Sequence, residues 1–355
     1  MRLPSIALVA PSLERIGGQG AQAHTLATQL QKEGYAISFI PIEPRCPSRL
    51  QWVRRYPYVR TLLNQSLYLP SLILLRRADV VHVFSASYWS FLLAPVPAML
   101  AARWFGKRVI LHYHSGEAED HLAKWGALVH PWLRLVDEIV VPSVYLRNVL
   151  ARHGYRTRVI PNVVDTSRFR YRERRPLRPR LLSTRNLEPY YRVDITLEAF
   201  ARLKAQYPDA TLTVAGNGSE EGRLRRLAVS LGSDGIRFVG RVEPYAMPAL
   251  YDKADVFLNS SVVDNQPVSI LEAFATGLPV VTTGTGDIIN LVRDGDTGLL
   301  VPQGDPAAMA KAVTSLLENQ DDALRMSRRA KQEVEQHTWP RVREEWVAAY
   351  SGKAA

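Results

Sequence analysis

The sequence predicts an α/β protein made of two Rossmann-like domains, each a parallel sheet with helices on both faces. Three observations carry this. Short apolar runs rich in β-branched residues alternate with helix-length segments over nearly the whole chain, and apolar strands set between helices mark a parallel sheet buried on both sides. The alternation breaks once, in an arginine- and proline-rich stretch, and then restarts. The length of 355 residues also exceeds what one hydrophobic core ordinarily organises.

In the first half, residues 5–10, 36–41, 79–84, 108–113, 138–141 and 157–160 read as buried strands, with helices at 19–32, 88–103 and 143–152. The break carries Arg168, Arg170, Arg172, Arg174, Arg175, Arg178 and Arg180 with Pro176 and Pro179, which is linker chemistry. Strands follow at 181–184, 211–215, 236–239, 256–259, 279–282 and 297–301, with helices at 195–204, 220–231, 268–275, 307–317 and 322–336. The expected organisation is a first domain over 1–166, a basic linker over 167–180 and a second domain over 181–337. A final helix at about 338–355 carries an apolar face of Trp339, Val342, Trp346, Ala349 and Tyr350 and is expected to pack back on the first domain.

Composition excludes several classes. Hydrophobic residues make up 46% and charged residues 22%, an ordinary globular balance rather than a disordered one. The single cysteine, Cys46, leaves no partner for an intrachain disulfide and no Cys-based zinc site. The first apolar run is too short for a signal-peptide core and reads as a strand. No uncharged apolar stretch reaches the roughly 18 residues of a membrane span; residues 91–100 come nearest and contain Pro95 and Pro97. The expectation is a cytoplasmic protein, at most peripheral at the inner face of the cell membrane.

The net charge of +11 is unevenly spread. Residues 1–110 hold 13 Lys/Arg against 4 Asp/Glu, and residues 151–180 hold 10 against 2; residues 181–355 hold 19 against 23. A basic first half and a mildly acidic second half imply surfaces with different partners, anionic lipid or nucleic acid being candidates for the first.

Two stretches could carry chemistry. Gly17-Gly18-Gln19-Gly20-Ala21-Gln22-Ala23 lies between a strand and a helix, where glycines let backbone N–H groups approach a phosphate. From Gly18 it matches G-x-G-x-x-A, with Glu43 some distance on, as in a dinucleotide fingerprint. In a true fingerprint the glycine follows the strand directly, whereas residues 11–16 intervene here, and a plain strand-to-helix turn is the competing reading. The second stretch, residues 260–281, reads strand end, polar loop, helix, glycine turn and strand. Pro267 suits a helix start, where its missing N–H leaves nothing unpaired. Asp264 in the loop and Glu272 in the helix supply two carboxylates beside a helix N-terminus. That combination serves hydroxyl and phosphate recognition together; the bland alternative is a loop-capping Asp264 and a solvated Glu272.

The second stretch, with Glu272 followed by Ala273-Phe274-Ala275-Thr276-Gly277-Leu278-Pro279-Val280-Val281, resembles the C-terminal signature of retaining GT-B glycosyltransferases of family 4. That signature has an acidic residue, seven residues, and then a glutamate. Asp264 stands where glutamate is usual. Gly17-Gly18 and His24, Asp79-Val80-Val81-His82, Pro142-Ser143, and residues 159–165 resemble the family's first domain, with Val163 where glycine is common. Ala215-Gly216-Asn217-Gly218, Phe238-Val239-Gly240-Arg241 and Thr297-Gly298-Leu299-Leu300-Val301 resemble its second.

The resemblance implies a GT-B fold and a retaining, metal-independent transfer of a sugar from a nucleotide-diphosphate sugar to a glycan or lipid-linked acceptor, in envelope polysaccharide or glycolipid synthesis. No cofactor beyond the donor and no metal is expected. Glu272 would hold the ribose hydroxyls, Asp264 the transferred sugar, and Arg185 the diphosphate. The family's lysine a few residues later is absent, and Arg192 is the nearby cation. His114, in Leu111-His112-Tyr113-His114, would lie near the donor sugar. Catalytic roles thus fall on Arg185, Asp264 and His114. Donor contacts fall on Gly17, Gly18, Arg185, Arg192, Gly216, Arg241, Asp264, Asn265, Pro267, Val268, Ser269, Ile270 and Glu272.

The acceptor is expected on the first domain. Residues 45–77 mix Arg45, Arg49, Arg54, Arg55, Arg60, Arg76 and Arg77 with Trp52, Tyr56, Tyr58, Leu62, Leu63, Leu67, Tyr68 and Leu69. Such a stretch could lie on an anionic membrane or form an ordinary amphipathic helix with a solvated basic face. A nucleotide-sugar epimerase, a nicotinamide-dependent oxidoreductase using the Gly18 string, and a nucleic-acid binder using the linker arginines are the competing functions. No nucleic acid partner is expected, because that reading leaves the Asp264–Glu272 pattern without a purpose.

Overall fold

Ile6–Ala10 (β1) is five consecutive apolar residues, all fully buried, the pattern of a central parallel strand. It pairs in parallel with Ile37–Pro41 (β2) on one side and Val80–Phe84 (β3) on the other. Arg108–His112 (β4), Glu138–Val141 (β5) and Arg158–Val159 (β6) complete a sheet of order β2-β1-β3-β4-β5-β6. The chain reverses its direction of growth between β1 and β3, and in open α/β sheets ligands bind outside the carboxyl ends of the strands at such a switch. The computed structural model describes residues 3–12, 18–45, 52, 56–85, 87–232 and 234–352.

Among the described residues the helices that precede the second unit are Gly18–Lys32 (α1), Pro57–Ser71 (α2), Tyr88–Leu93 (α3), Pro95–Trp104 (α4), Ala118–Leu133 (α5) and Val144–Arg152 (α6). The single helix expected over 88–103 is two. Pro95 and Pro97 have no N–H to continue the ladder; Ala94 leaves helical geometry (φ −121°, ψ −63°) and Pro95 opens the second helix. At α6, Ser143 caps the N-terminus by accepting from the Leu146 N–H at 3.2 Å, as its hydroxyl is suited to do.

The second unit, Asn162–Val342, repeats the design. Arg180–Ser183 (β7), Thr211–Ala215 (β8), Ile236–Gly240 (β9), Val256–Asn259 (β10), Val280–Thr283 (β11) and Leu299–Val301 (β12) form an all-parallel sheet of order β12-β11-β10-β7-β8-β9. Its switch point lies between β7 and β10. The helices are Val193–Gln206 (α7), Glu221–Ser230 (α8), Met247–Lys253 (α9), Val268–Thr276 (α10), Ile288–Leu291 (α11), Pro306–Glu318 (α12), Gln320–Val334 (α13) and Trp339–Ser351 (α14).

Residues 167–180, set apart as a linker by composition, are built into this second unit. Arg174 is 4% exposed and donates to the carbonyls of Arg172 (2.7 Å), Tyr251 (3.0 Å), Ala254 (3.3 Å) and Thr276. Burial pulls its pKa down to about 10. Arg172 and Arg180 bond Asp252 and Asp255. Arginine's fork of donors closes loose carbonyls, which accounts for Arg174, while Arg168, Arg170, Arg175 and Arg178 stay exposed.

The last turns of α14, from Arg343, belong with the first sheet. Trp346 and Tyr350 pack on His82 of β3 with ring centroids at 5.2 and 5.9 Å. Glu345 pairs with buried Arg158 at 2.8 Å, which also holds Glu138 at 2.5 Å.

Candidate functional site

The residues that come together most closely lie at the carboxyl ends of β7 and β10, on the two sides of the second switch point. Arg185 follows β7 and Asp264 lies in the loop after β10; the guanidinium Nη2 donates to Asp264 Oδ2 at 2.5 Å. Both side chains are about nine-tenths buried. Nη1 donates to Ser269 Oγ at 3.1 Å in the first turn of α10, and the guanidinium lies over the Tyr191 ring at 4.1 Å. Burial opposes the charge on Arg185, but Asp264, Tyr191 and Tyr251 outweigh it and hold its pKa above the ordinary value. Its Nε finds no hydrogen-bond partner among the described residues. A buried, planar guanidinium with an unused donor suits an anion such as a phosphate.

Strand-end loops are pressed together around this pair. Gly216, after β8, has φ 141°, and a Cβ there would overlap the Arg185 carbonyl; Gly286, after β11, has φ 54°, and a Cβ would overlap the Asp264 carbonyl. Only glycine permits both the backbone conformation and the approach. Thr285 Oγ1 donates to the Val262 carbonyl at 2.9 Å, and the Val262 N–H donates to the Tyr190 carbonyl at 2.9 Å, so three loops are fastened to one another.

Glu272 lies one helical turn further along α10, partly buried. The Tyr251 hydroxyl, from α9, donates to Glu272 Oε2 at 2.7 Å. Burial pushes the Glu272 carboxyl up to about 7, against the Tyr251 hydrogen bond and Arg168, which pull it down. Pro267 occupies the N-cap of α10 in extended conformation, and Val268 begins the helix, leaving its first N–H groups as an anion-favouring end. Asn265 is buried beside it, its N–H bonded to Asp264 Oδ1 at 3.0 Å. Ile270 differs from the sequence expectation: its side chain is fully buried in the core with Leu182, Phe257 and Phe274.

The remaining candidates are distributed. Arg192 sits in left-handed conformation (φ 45°, ψ 44°) at the start of α7, and its guanidinium is engaged by Asp194 at 3.1 to 3.2 Å. Arg241, after β9, pairs with Glu243 at 3.2 Å. Gly17 lies outside the described residues, and Gly18 opens α1 with free space where a Cβ would stand. The only D-x-D spacing in the chain, Asp294-Gly295-Asp296, is occupied structurally: Asp294 accepts from the Leu300 N–H at 2.9 Å, and Asp296 pairs with Arg293 and Arg329.

His114 belongs to the carboxyl end of the first sheet. Its ring stacks on Phe84 at 5.4 Å and lies 4.0 Å from His112, which lies 5.3 Å from His82. Burial lowers His114 and His82 to about 3 and takes His112 well below the usual value. His82 Nδ1 meets Tyr350 Oη at 2.8 Å, while both ring nitrogens of His112 and the Nε2 atoms of His82 and His114 have no partner among the described residues. The cluster is thus a set of neutral imidazoles packed as aromatics.

The family profile described as "Glycosyltransferase Family 4" matches residues 16–168, and that described as "Glycosyl transferases group 1" matches residues 167–333. The chain belongs to glycosyltransferase family 4. Among curated relatives, this family 4 chain is 31% identical over 277 residues to a glycogen synthase of Mycobacterium tuberculosis, covering 73% of its own length and 64% of the relative's. It is 29% identical over 255 residues to a phosphatidyl-myo-inositol mannosyltransferase of Mycobacterium leprae, covering 70% and 66%. Among solved structures, Anabaena HepE in complex with UDP and glucose matches with a TM-score of 0.75 at 16% identity, covering 98% and 99% of the two chains. Sucrose-phosphate synthase from Thermosynechococcus elongatus matches at 0.78 and 19%, covering 98% of each. These likenesses establish the GT-B fold for the family 4 chain.

Tyr251, whose hydroxyl meets Glu272, is the residue at this switch point that sequence reasoning missed in the family 4 chain. In Met247-Pro248-Ala249-Leu250-Tyr251 it reads as one more apolar-face aromatic, and only the fold carries its hydroxyl to Glu272.

Proposed function

We propose that the chain transfers a hexose from a nucleoside-diphosphate sugar to a hydroxyl of a glycan or lipid-linked acceptor, with retention of configuration and without a metal ion. One observation carries the reading: Arg185, Asp264, Ser269 and Glu272 gather at the second switch point, beside the N-terminus of α10. Glu272 would accept from the ribose hydroxyls. Arg185 and the first N–H groups of α10 would stabilise the charge growing on the leaving diphosphate. Asp264, one methylene shorter than the family's usual glutamate, would accept from hydroxyls of the transferred sugar. In the step itself the anomeric carbon–phosphate oxygen bond breaks and the acceptor oxygen bonds to the same face. The acceptor proton passes to the departing phosphate. HepE, solved with UDP and glucose, supports a sugar-nucleotide donor by analogy.

The acceptor half of the reading includes an anionic membrane surface met through residues 45–77. On α2, Tyr58 is 87% and Leu62 is 70% exposed, with Arg60 alongside, and Ile73 and Leu74 follow beside Arg76 and Arg77. Tyr68 turns the other way: it is fully buried and its hydroxyl donates to the Ala94 carbonyl at 2.7 Å. Arg49, Arg54 and Arg55 lie outside the described residues. No described helix is long and apolar enough to cross a membrane. Sedimentation with anionic and neutral vesicles tests this part; equal binding at low salt removes it.

The activity is tested with Arg185→Ala and Glu272→Ala, followed by release of nucleoside diphosphate from the nucleotide sugar with candidate acceptors. Each substitution is expected to lower turnover at least about tenfold, the order of a lost charged hydrogen bond. Near-unchanged turnover in both overturns the assignment.

A further inference from the structure

Tyr251 is fully buried, its ring edge-on to Phe169 at 5.6 Å and stacked with Phe257 at 5.8 Å. A phenylalanine would fill the same space. The hydroxyl therefore adds nothing to packing, and a buried hydroxyl is unfavourable unless it is hydrogen-bonded. It meets three groups from two elements beyond its own: Thr184 Oγ1 at 2.9 Å, just after β7, and the Ser269 carbonyl at 3.2 Å and Glu272 Oε2 at 2.7 Å on α10. A phenol has one proton to give. The shortest contact is to the carboxylate, where the bond is charge-assisted, and Thr184 is the one partner able to donate to the phenol oxygen. A relay from Thr184 through Tyr251 to Glu272 thus spans the switch point from β7 to α10.

We propose that Tyr251 is a positioning residue of the donor site, its hydroxyl fixing the Glu272 carboxylate in one rotamer and keeping it free to accept from the nucleoside's ribose. This rests on the donor-binding role of Glu272 given above. The physical reason is preorganisation. A glutamate side chain has three free torsions, and ordering it before the ligand arrives removes that cost from binding. The hydroxyl also favours the ionised carboxylate. The groups that set the charge of Glu272 are Tyr251 from α9 and Arg168 from the segment before β7, while Arg185 acts on the Tyr251 hydroxyl. The face of α13 against α10 is apolar, with Ala330 and Val334.

The test is a double-mutant cycle of Tyr251→Phe and Glu272→Gln, read by calorimetric binding of UDP, ADP and GDP between pH 6.5 and 9, with thermal midpoints recorded for every variant. The nucleotide that binds the wild type is expected to bind Tyr251→Phe about tenfold more weakly at pH 6.5. Without the hydroxyl the Glu272 pKa rises further, so the deficit should shrink to about threefold or less at pH 9, where the carboxylate is ionised in both proteins. The ligand's own ionisation is common to both and cancels in the ratio. In the Glu272→Gln background Tyr251→Phe should have no further effect. Thr184→Val, which removes only the donor to the phenol, should act in the same direction by about twofold to threefold. A Tyr251→Phe deficit independent of pH, or equal in both backgrounds, overturns the proposal and leaves the role of Glu272 intact; so does unchanged binding in Tyr251→Phe beside weakened binding in Glu272→Gln. Unchanged binding in Glu272→Gln, or no binding of any nucleotide by the wild type, overturns the role of Glu272 and the proposal with it.

Discussion

The two sheets share an all-parallel topology with one switch point each, yet the carboxyl ends of their strands are furnished in opposite ways. The second sheet gathers charge: Arg185 against Asp264, and Glu272 against the Tyr251 hydroxyl. The first buries His82 and His112, with His114 half-buried beside them, as neutral rings among Phe84, Trp346 and Tyr350. A shared fold therefore places a binding edge in both units without dictating its chemistry. What differs is how buried polarity is satisfied. Near the switch point of the second unit the charged groups are paired, and among the described residues the Nε of Arg185 and the Oγ of Ser183 have no hydrogen-bond partner. In the first, imidazoles are held neutral by burial.

The largest effect expected from this contrast is on the loops that press the charged pair together. Gly286→Ala forces a side chain into positive φ and against the Asp264 carbonyl, and should destabilise the second unit by about 3 kcal/mol. Denaturant unfolding checks this, and a loss under about 1 kcal/mol would show that the loops are looser than described.

Acid should act on the first unit through its histidines. Burial lowers His82 and His114 to about 3, well below the unfolded value of about 6.5, so the unfolded chain takes up protons that the folded one refuses. Stability from these groups is fully present above about pH 6.5 and is lost as pH falls toward 3. Each contributes a slope of about 1.4 kcal/mol per pH unit within that window. Denaturant midpoints taken from pH 7 to 5 should fall, and His82→Phe, which keeps a ring in place, should flatten the fall. An unchanged slope would mean that the histidines are not held neutral.

The smallest effect is expected at Arg192. Its guanidinium is already bonded by Asp194, so Arg192→Ala should change nucleotide affinity by no more than about threefold. A loss as large as that of Arg185→Ala would show that Arg192 leaves Asp194 and takes the place of the family's phosphate lysine.

Much of this was legible beforehand, and the boundary of legibility is physical. Buried parallel strands announce themselves as apolar runs, so Ile6–Ala10, Val80–Phe84 and Thr211–Ala215 stand within a residue of their expected positions. Asp264 and Glu272 drew attention as two carboxylates beside a helix N-terminus, whereas Arg185 entered only through the family resemblance. Composition could not show that Arg174, within 167–180, donates to the carbonyls of Tyr251 and Thr276, because it reports charge and not contacts. The helix α5, which the sequence reading did not list, carries Pro131 and Gly126 and packs Leu122, Val129 and Leu133 in the core. Tyr251 was hidden for a different reason: sequence periodicity registers its ring and is silent about where the hydroxyl ends.

The most direct test of the charged switch point as a nucleotide-sugar site is a thermal-shift screen against UDP, GDP, ADP, CDP and TDP sugars, run on the wild type, Arg185→Ala and Glu272→Ala. A ligand that binds only the folded state raises the midpoint by mass action. At least one donor should raise it in the wild type by a few degrees, with the shift largely lost in both variants; no shift with any of the five, or a shift that both variants retain, would contradict the assignment.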